Sequence, residues 1–134
     1  MPIAIDWTLL ADAARAAAAN AYAPYSRFAV GAAVLAADGR VFAGCNVENA
    51  SFGLTICAER NAIAQAVAAG VREIVAVCVH TPTPEPTPPC GACRQVMLEF
   101  GRPDVTSTCA GGATRRWTAE ELLPGAFALK DASR

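Results

Sequence analysis

Histidine is nearly absent from this chain. His80 is the single one in 134 residues, so nucleophile readings built on a Ser, Thr or Cys beside His rest on one candidate with no motif around it. No apolar run approaches the roughly 20 residues needed to cross a bilayer. Basic runs are missing too: eleven Lys plus Arg stand against twelve Asp plus Glu, formally −1, and the only basic doublet is Arg115-Arg116. A protein that holds a long polynucleotide carries a basic stripe, so its absence points to a small neutral substrate and no polynucleotide partner. The start, Met1-Pro-Ile-Ala-Ile-Asp6, lacks the basic and apolar regions of a signal peptide. The six cysteines are accordingly expected to be reduced, in the cytoplasm.

The chain is expected to form one domain over residues 1–134. It is 54% hydrophobic with a mean hydropathy of +0.30, which favours buried contacts between subunits. Helical spacing of Leu9, Leu10, Ala13, Ala14, Ala17 and Ala18 predicts a helix over Asp6 to Tyr22. Phe28 to Ala36 and Arg40 to Val47 read as strands joined at Asp38-Gly39, a hairpin signal. Ile56 to Ala69 reads as a helix closed by Gly70, and Glu73 to His80 as a buried strand. Thr81 to Pro89 holds five prolines in nine residues, a stiff loop leading into a helix over Cys90 to Phe100. Strands over Asp104 to Ala110 and Thr114 to Trp117 follow. Thr118-Ala-Glu-Glu121 fits a capping box opening a last helix over Ala119 to Leu123. This order implies an α/β fold, a mixed five-stranded sheet with helices on its faces.

The chemistry concentrates in Cys57-Ala58-Glu59 and Pro89-Cys90-Gly91-Ala92-Cys93. Three thiols and one carboxylate suit a zinc ion that acts on water, since catalytic zinc takes three protein ligands where structural zinc takes four. Residues two apart do not share a helix face. Cys57 and Glu59 can therefore meet one ion only beyond the helix N-terminus, toward which side chains lean. Cys90 and Cys93 share a face at the start of the other helix. Two helix N-termini then point at one metal, their dipoles favouring thiolate. Three thiolates on Zn²⁺ leave −1, and hydrogen bonds from Arg60 or Arg94 to the sulfurs would restore acidity to the bound water. The plainer reading of both arginines is a solvated helix face. Glu59 is the proton carrier, taking one from water and passing protons to a ring nitrogen and the leaving amine. Cys45, Cys78 and Cys109 read as small buried hydrophobes, and His80 as structural or solvated.

With these residues laid out, the chain resembles the small homotetrameric cytidine deaminases, from Tyr25-Ser-Arg-Phe-Ala-Val-Gly31 through Gly44-Cys-Asn-Val-Glu-Asn-Ala50 to Glu121-Leu-Leu-Pro-Gly-Ala-Phe127. The resemblance implies a three-layer α/β/α fold and zinc-dependent hydrolysis of cytidine and 2′-deoxycytidine to the uridines and ammonia, in pyrimidine salvage. It implies one zinc per chain on Cys57, Cys90 and Cys93, and Glu59 as the catalytic carboxylate. Asn46 and Glu48 would meet the sugar hydroxyls, and Phe28 the pyrimidine. Ala58 would offer its N–H to the pyrimidine carbonyl, and Cys90 its carbonyl to the amine. Ala50 would belong to the substrate site, the Phe52 segment would approach the sugar of an adjacent subunit's substrate, and Phe127 would reach in from a neighbouring subunit. Arg60, Arg94 and Gln95 would surround the ligands. Phe52 departs from the tyrosine usual there, losing a hydroxyl near the 5′ end of the sugar.

Three rivals are weighed against this reading. A structural zinc module with Cys45 or Cys109 as fourth ligand lacks a second C-x-x-C. A thiol redox protein would need neither Cys57-x-Glu59 nor Asn46-x-Glu48. A deaminase of a nucleoside antibiotic such as blasticidin, or of a free base, leaves Glu48 without its sugar hydroxyl.

Overall fold

The computed structural model of the chain describes residues 3–129. Five strands form one mixed sheet in the order β2-β1-β3-β4-β5. β1 (Gly31–Ala36) pairs antiparallel with both β2 (Val41–Cys45) and β3 (Ile74–Thr81), while β4 (Asp104–Cys109) lies parallel to β3 and antiparallel to β5 (Thr114–Thr118). α1 (Trp7–Ala18) covers one face; α2 (Ala58–Ala68) and α3 (Gly91–Glu99) cover the other. The last helix, α4 (Ala119–Leu122), carries the expected capping box between Thr118 and Glu121.

Alternation along β1 assigns the layers. Ala33 and Leu35 face Leu10 and Ala14 of α1, whereas Ala32, Val34 and Ala36 join Ile63, Ala66 and Met97 on the other side. Both helices beside β1 and β2 seat directly on glycine. A Cβ at Gly31 would lie 1.8 Å from the Ala14 carbonyl oxygen, and one at Gly44 2.5 Å from the Ala62 nitrogen. Small side chains on α1, α2 and β1 thus let helix backbone approach sheet backbone. Among the described residues no helix is long and apolar enough to cross a membrane.

Several boundaries differ from the sequence expectation, each for a local reason. α1 ends at Ala18 instead of reaching Tyr22, whose N–H and carbonyl bond to Asn46 and Glu48 instead. β1 begins at Gly31, three residues late, because Asn46 takes over the pairing before it: its Oδ1 accepts from Val30 N at 2.9 Å and its Nδ2 donates to the Phe28 carbonyl at 2.7 Å. A 3₁₀ turn, Phe52–Leu54, carried no periodic signal. Most informative are the starts of α2 and α3. Cys57 and Cys90 stand outside the helices as extended N-cap residues, with ψ of 157° and 164°.

Candidate metal centre and cleft

An N-cap side chain ordinarily accepts from the helix's own free N–H groups, and Ser, Thr, Asp and Asn do this best. Cysteine fills that place in both α2 and α3 and makes no capping bond. Each thiol instead points beyond its helix toward the other. Their Sγ atoms lie 3.7 Å apart, and Cys93 joins them so that all three sulfurs fall within 4.8 Å of one another. Sulfurs sharing one zinc ion at bonds of about 2.3 Å stand about 3.8 Å apart in a tetrahedron, so the trio fits such an ion. Among the described residues the group has three members; Cys45 and Cys109 are not in it. All six cysteines are free thiols.

The electrostatics of the trio follow from crowding. Hydrogen bonds from Cys93 and then from Arg60 and Cys90 hold the Cys57 thiol well below its usual range, and the same contact pushes Cys93 up. Arg60 gives an N–H to Cys57 Sγ at 3.4 Å, while its buried Nε has no hydrogen-bond partner among the described residues. Arg94, for which a sulfur contact and a solvated helix face were both open, behaves differently. Its guanidinium donates to the carbonyls of Pro89 and Leu122, each at 2.8 Å, tying α4 to the residue before Cys90. Gln95 likewise turns outward, to the Phe127 carbonyl at 2.9 Å.

Glu59 occupies the second position of α2 and is 4% exposed. Burial pushes its carboxyl up to about 7, and the charge on Cys57 adds to the effect. It lines a cleft of about 380 Å³ together with Cys57, Ala58 and Cys90 at one end and Asn46, Glu48 and Phe28 at the other. Ala58 is the first residue of α2, so its N–H is one of those no helix satisfies internally.

The far end is held by Glu48. Oε1 accepts from the N–H groups of Tyr25 and Ser26 at 3.0 and 3.1 Å, and Oε2 accepts from the Ser26 hydroxyl. The Ser26 hydroxyl bond and these N–H groups keep the Glu48 carboxyl below the usual range. This clamp fixes a loop in which Arg27 adopts φ of 59°, a left-handed conformation that turns Phe28 into the cleft.

Three of the expected substrate residues lie outside the cleft. Ala50 is exposed on a bend. Phe52, 74% exposed, stacks at 5.9 Å on Tyr25 over a depression that shares Ser26, Glu48 and Thr55 with the cleft. Phe127 is 70% exposed on a different surface, beside Leu123 and Arg102. Conversely, Ser26, Thr55, Val79, Thr81, Thr87 and Pro88 line the cleft without having been singled out. Only Ser26 had a signal, its place in the Tyr25-Ser-Arg-Phe run. His80 faces the α1 side, where its Nδ1 is 2.8 Å from the Thr108 hydroxyl.

Comparison with known proteins agrees with this geometry. The family described as the cytidine and deoxycytidylate deaminase zinc-binding region matches residues 7–109. A cytidine deaminase of Halalkalibacterium halodurans is 50% identical over 129 residues, covering 95% of this chain and 98% of its own. The crystal structure of cytidine deaminase from Burkholderia pseudomallei superposes with a TM-score of 0.88 at 51% identity, over 92% of this chain and 100% of that one. The cytidine deaminase structure from Mycobacterium tuberculosis superposes at 0.80 and 43% identity, over 94% and 100%. The family match spans most of the chain and includes Cys57, Glu59, Cys90 and Cys93, so this protein belongs to the cytidine and deoxycytidylate deaminase family.

Proposed function

We propose that this chain hydrolyses cytidine and 2′-deoxycytidine to uridine and 2′-deoxyuridine, releasing ammonia in pyrimidine salvage. The observation that carries the reading is three convergent sulfurs, two of them from cleft-lining residues, beside the buried carboxyl of Glu59 in the same cleft. Cys57, Cys90 and Cys93 would hold one zinc ion per chain, which when bound would lower the pKa of a water toward neutrality, and Arg60 would offset the charge of Cys57.

Glu59 moves the protons. As carboxylate it accepts one from the water as oxygen adds to C4 of the pyrimidine, and it returns that proton to ring nitrogen N3. The hydroxyl left on C4 then loses its proton through Glu59 to the departing amine, so cytidine plus water balances uridine plus ammonia. Burial, which raises the Glu59 carboxyl above its ordinary value, suits a group that both takes and gives a proton near neutral pH. The Ala58 N–H positions the pyrimidine carbonyl, and the Cys90 carbonyl receives the amine. Phe28 packs on the ring. Asn46 and Glu48 keep lone pairs for sugar hydroxyls beyond those used in the clamp.

The exposed Phe52 and Phe127 support a homotetramer in which sites are shared. Gln95 fixes the Phe127 backbone and leaves its ring outside its own cleft, where a neighbouring chain can receive it. Free thiols at the metal centre suit the reducing cytoplasm.

The test is an ultraviolet assay of zinc-loaded protein on cytidine, deoxycytidine, cytosine and blasticidin S, with ammonia measured. Loss of cytidine with equal ammonia is expected. Turnover confined to cytosine or blasticidin S would overturn the nucleoside assignment.

A further inference from the structure

Thr87 lines the cleft three residues before Cys90, one of the three convergent cysteines. It is pinned twice. Ser107 of β4, wholly buried, donates from Oγ to the Thr87 carbonyl at 2.8 Å. The Thr87 hydroxyl lies 3.2 Å from Thr83 Oγ1, which in turn lies 2.7 Å from Thr81 Oγ1. Thr83 also approaches the Glu85 carbonyl at 2.6 Å.

Counting protons gives these contacts a direction. A hydroxyl carries one proton, and a carbonyl can only accept. The Thr83 proton therefore goes to Glu85, and toward Thr81 and Thr87 the Thr83 oxygen is an acceptor. Thr87 spends its own proton on Thr83. What remains on its hydroxyl for the cleft is lone pairs.

That polarity matters in this cleft. The C4 substituent of cytidine is an amine, which donates; that of uridine is a carbonyl, which accepts. A fixed acceptor attracts the first and repels the second.

We propose that Thr83 is a positioning residue that holds Thr87 as a hydrogen-bond acceptor in the cleft, so that the cleft takes up the 4-amino pyrimidine in preference to its 4-oxo product. The inference rests on the cytidine reading above and deepens it by naming a determinant of substrate over product. It also gives the proline loop a purpose beyond delivering Cys90. The backbone of Thr83 is itself fastened to the β4–β5 turn by the Gly111 N–H at 3.2 Å, so the acceptor chain starts from a fixed point.

The experiment measures KM for cytidine and the inhibition constant of uridine on zinc-loaded wild type, Thr83→Val, Thr83→Ser and Thr87→Val. Valine keeps the shape and removes the hydroxyl; serine keeps the hydroxyl. In both valine variants the ratio of the uridine constant to the cytidine KM should fall about three- to tenfold, the worth of one net hydrogen bond. Thr83→Ser should restore the wild-type ratio. A general distortion of the loop would weaken both ligands together and leave the ratio unmoved, and that result would overturn the inference. If Thr83→Val does not fold, Thr83→Ala, which also removes the hydroxyl, is measured in its place against the same ratio. Absence of cytidine turnover by the wild type would instead overturn the reading beneath it.

Discussion

Beneath the cleft Glu59 is 4% exposed and Cys93 fully buried, whereas Phe52, at the mouth, is 74% exposed and Phe127, on another surface of the same chain, 70%. The floor is completed within one chain. Two helix N-termini, three sulfurs and Arg60 answer one another there, and burial itself sets the proton affinity of Glu59. The mouth offers aromatic surface that no described residue of its own chain covers. Tyr22, Tyr25, Val47, Leu54 and Ile56 continue the apolar exposure around it. In the proposed assembly the chemistry resides in the interior, while the two exposed phenylalanines, each with on the order of 150–250 Å² to bury, are the surface offered to a neighbouring chain.

The sharpest way to break the floor without touching the mouth is Glu59→Gln. The amide keeps the shape but cannot take up and release a proton, so turnover should fall on the order of 10²- to 10⁴-fold with zinc and assembly retained. Steady-state assay with metal analysis checks this. Near-normal deamination would remove Glu59 from the mechanism.

The contribution proposed to come from a neighbouring chain is broken by Phe127→Ala, which should impair turnover less. If the ring is lent across an interface, Glu59→Ala and Phe127→Ala chains refolded together should regain activity that neither has alone. Size-exclusion chromatography should place these mixed oligomers near four chains. No gain on mixing, with assembly intact, would mean that each chain completes its own mouth.

Arg60 and Arg94 allow a finer comparison, because each directly follows a motif residue and only one touches sulfur. Arg60→Gln should slow turnover while leaving the melting temperature nearly unchanged. Arg94→Gln should do the reverse, losing two charge-assisted bonds to backbone for about 2 kcal/mol of stability. Parallel kinetics and thermal melts would distinguish them.

A still smaller effect probes the clamp at the cleft's far end. Because the folded Glu48 carboxyl lies below its ordinary value of 4.5, its charged form favours the fold fully above that value. This contribution is lost as pH falls through the depressed folded value. Amide exchange at Tyr25 and Ser26, the N–H groups on Glu48, should lose protection in that acidic window, and Glu48→Gln should remove the dependence.

What the sequence made legible follows the same division. Cys57-x-Glu59 and Cys90-x-x-Cys93 are close-spaced motifs whose geometry a helix start dictates, so the floor could be read from residue order alone. The layers were equally legible, since Ala-rich periodicity and the Asp38-Gly39 turn are local signals. Destinations of long side chains were not. Nothing in the order of residues tells that Arg94 turns to Leu122, 28 positions away, while Arg60 stays with a sulfur three positions back. The hydroxyl chain of Thr81, Thr83 and Thr87 was hidden for another reason: its direction is set by the fold of a proline loop with no period. Strand starts shifted where Asn46 replaced backbone pairing, a substitution that propensity does not foresee.

The account stands on a floor of three sulfurs with one position left for water. X-ray absorption at the zinc edge of the purified protein reads this directly. It should report one zinc per chain with three sulfurs at about 2.3 Å and one light atom. A shell of four sulfurs would contradict it and make the centre structural.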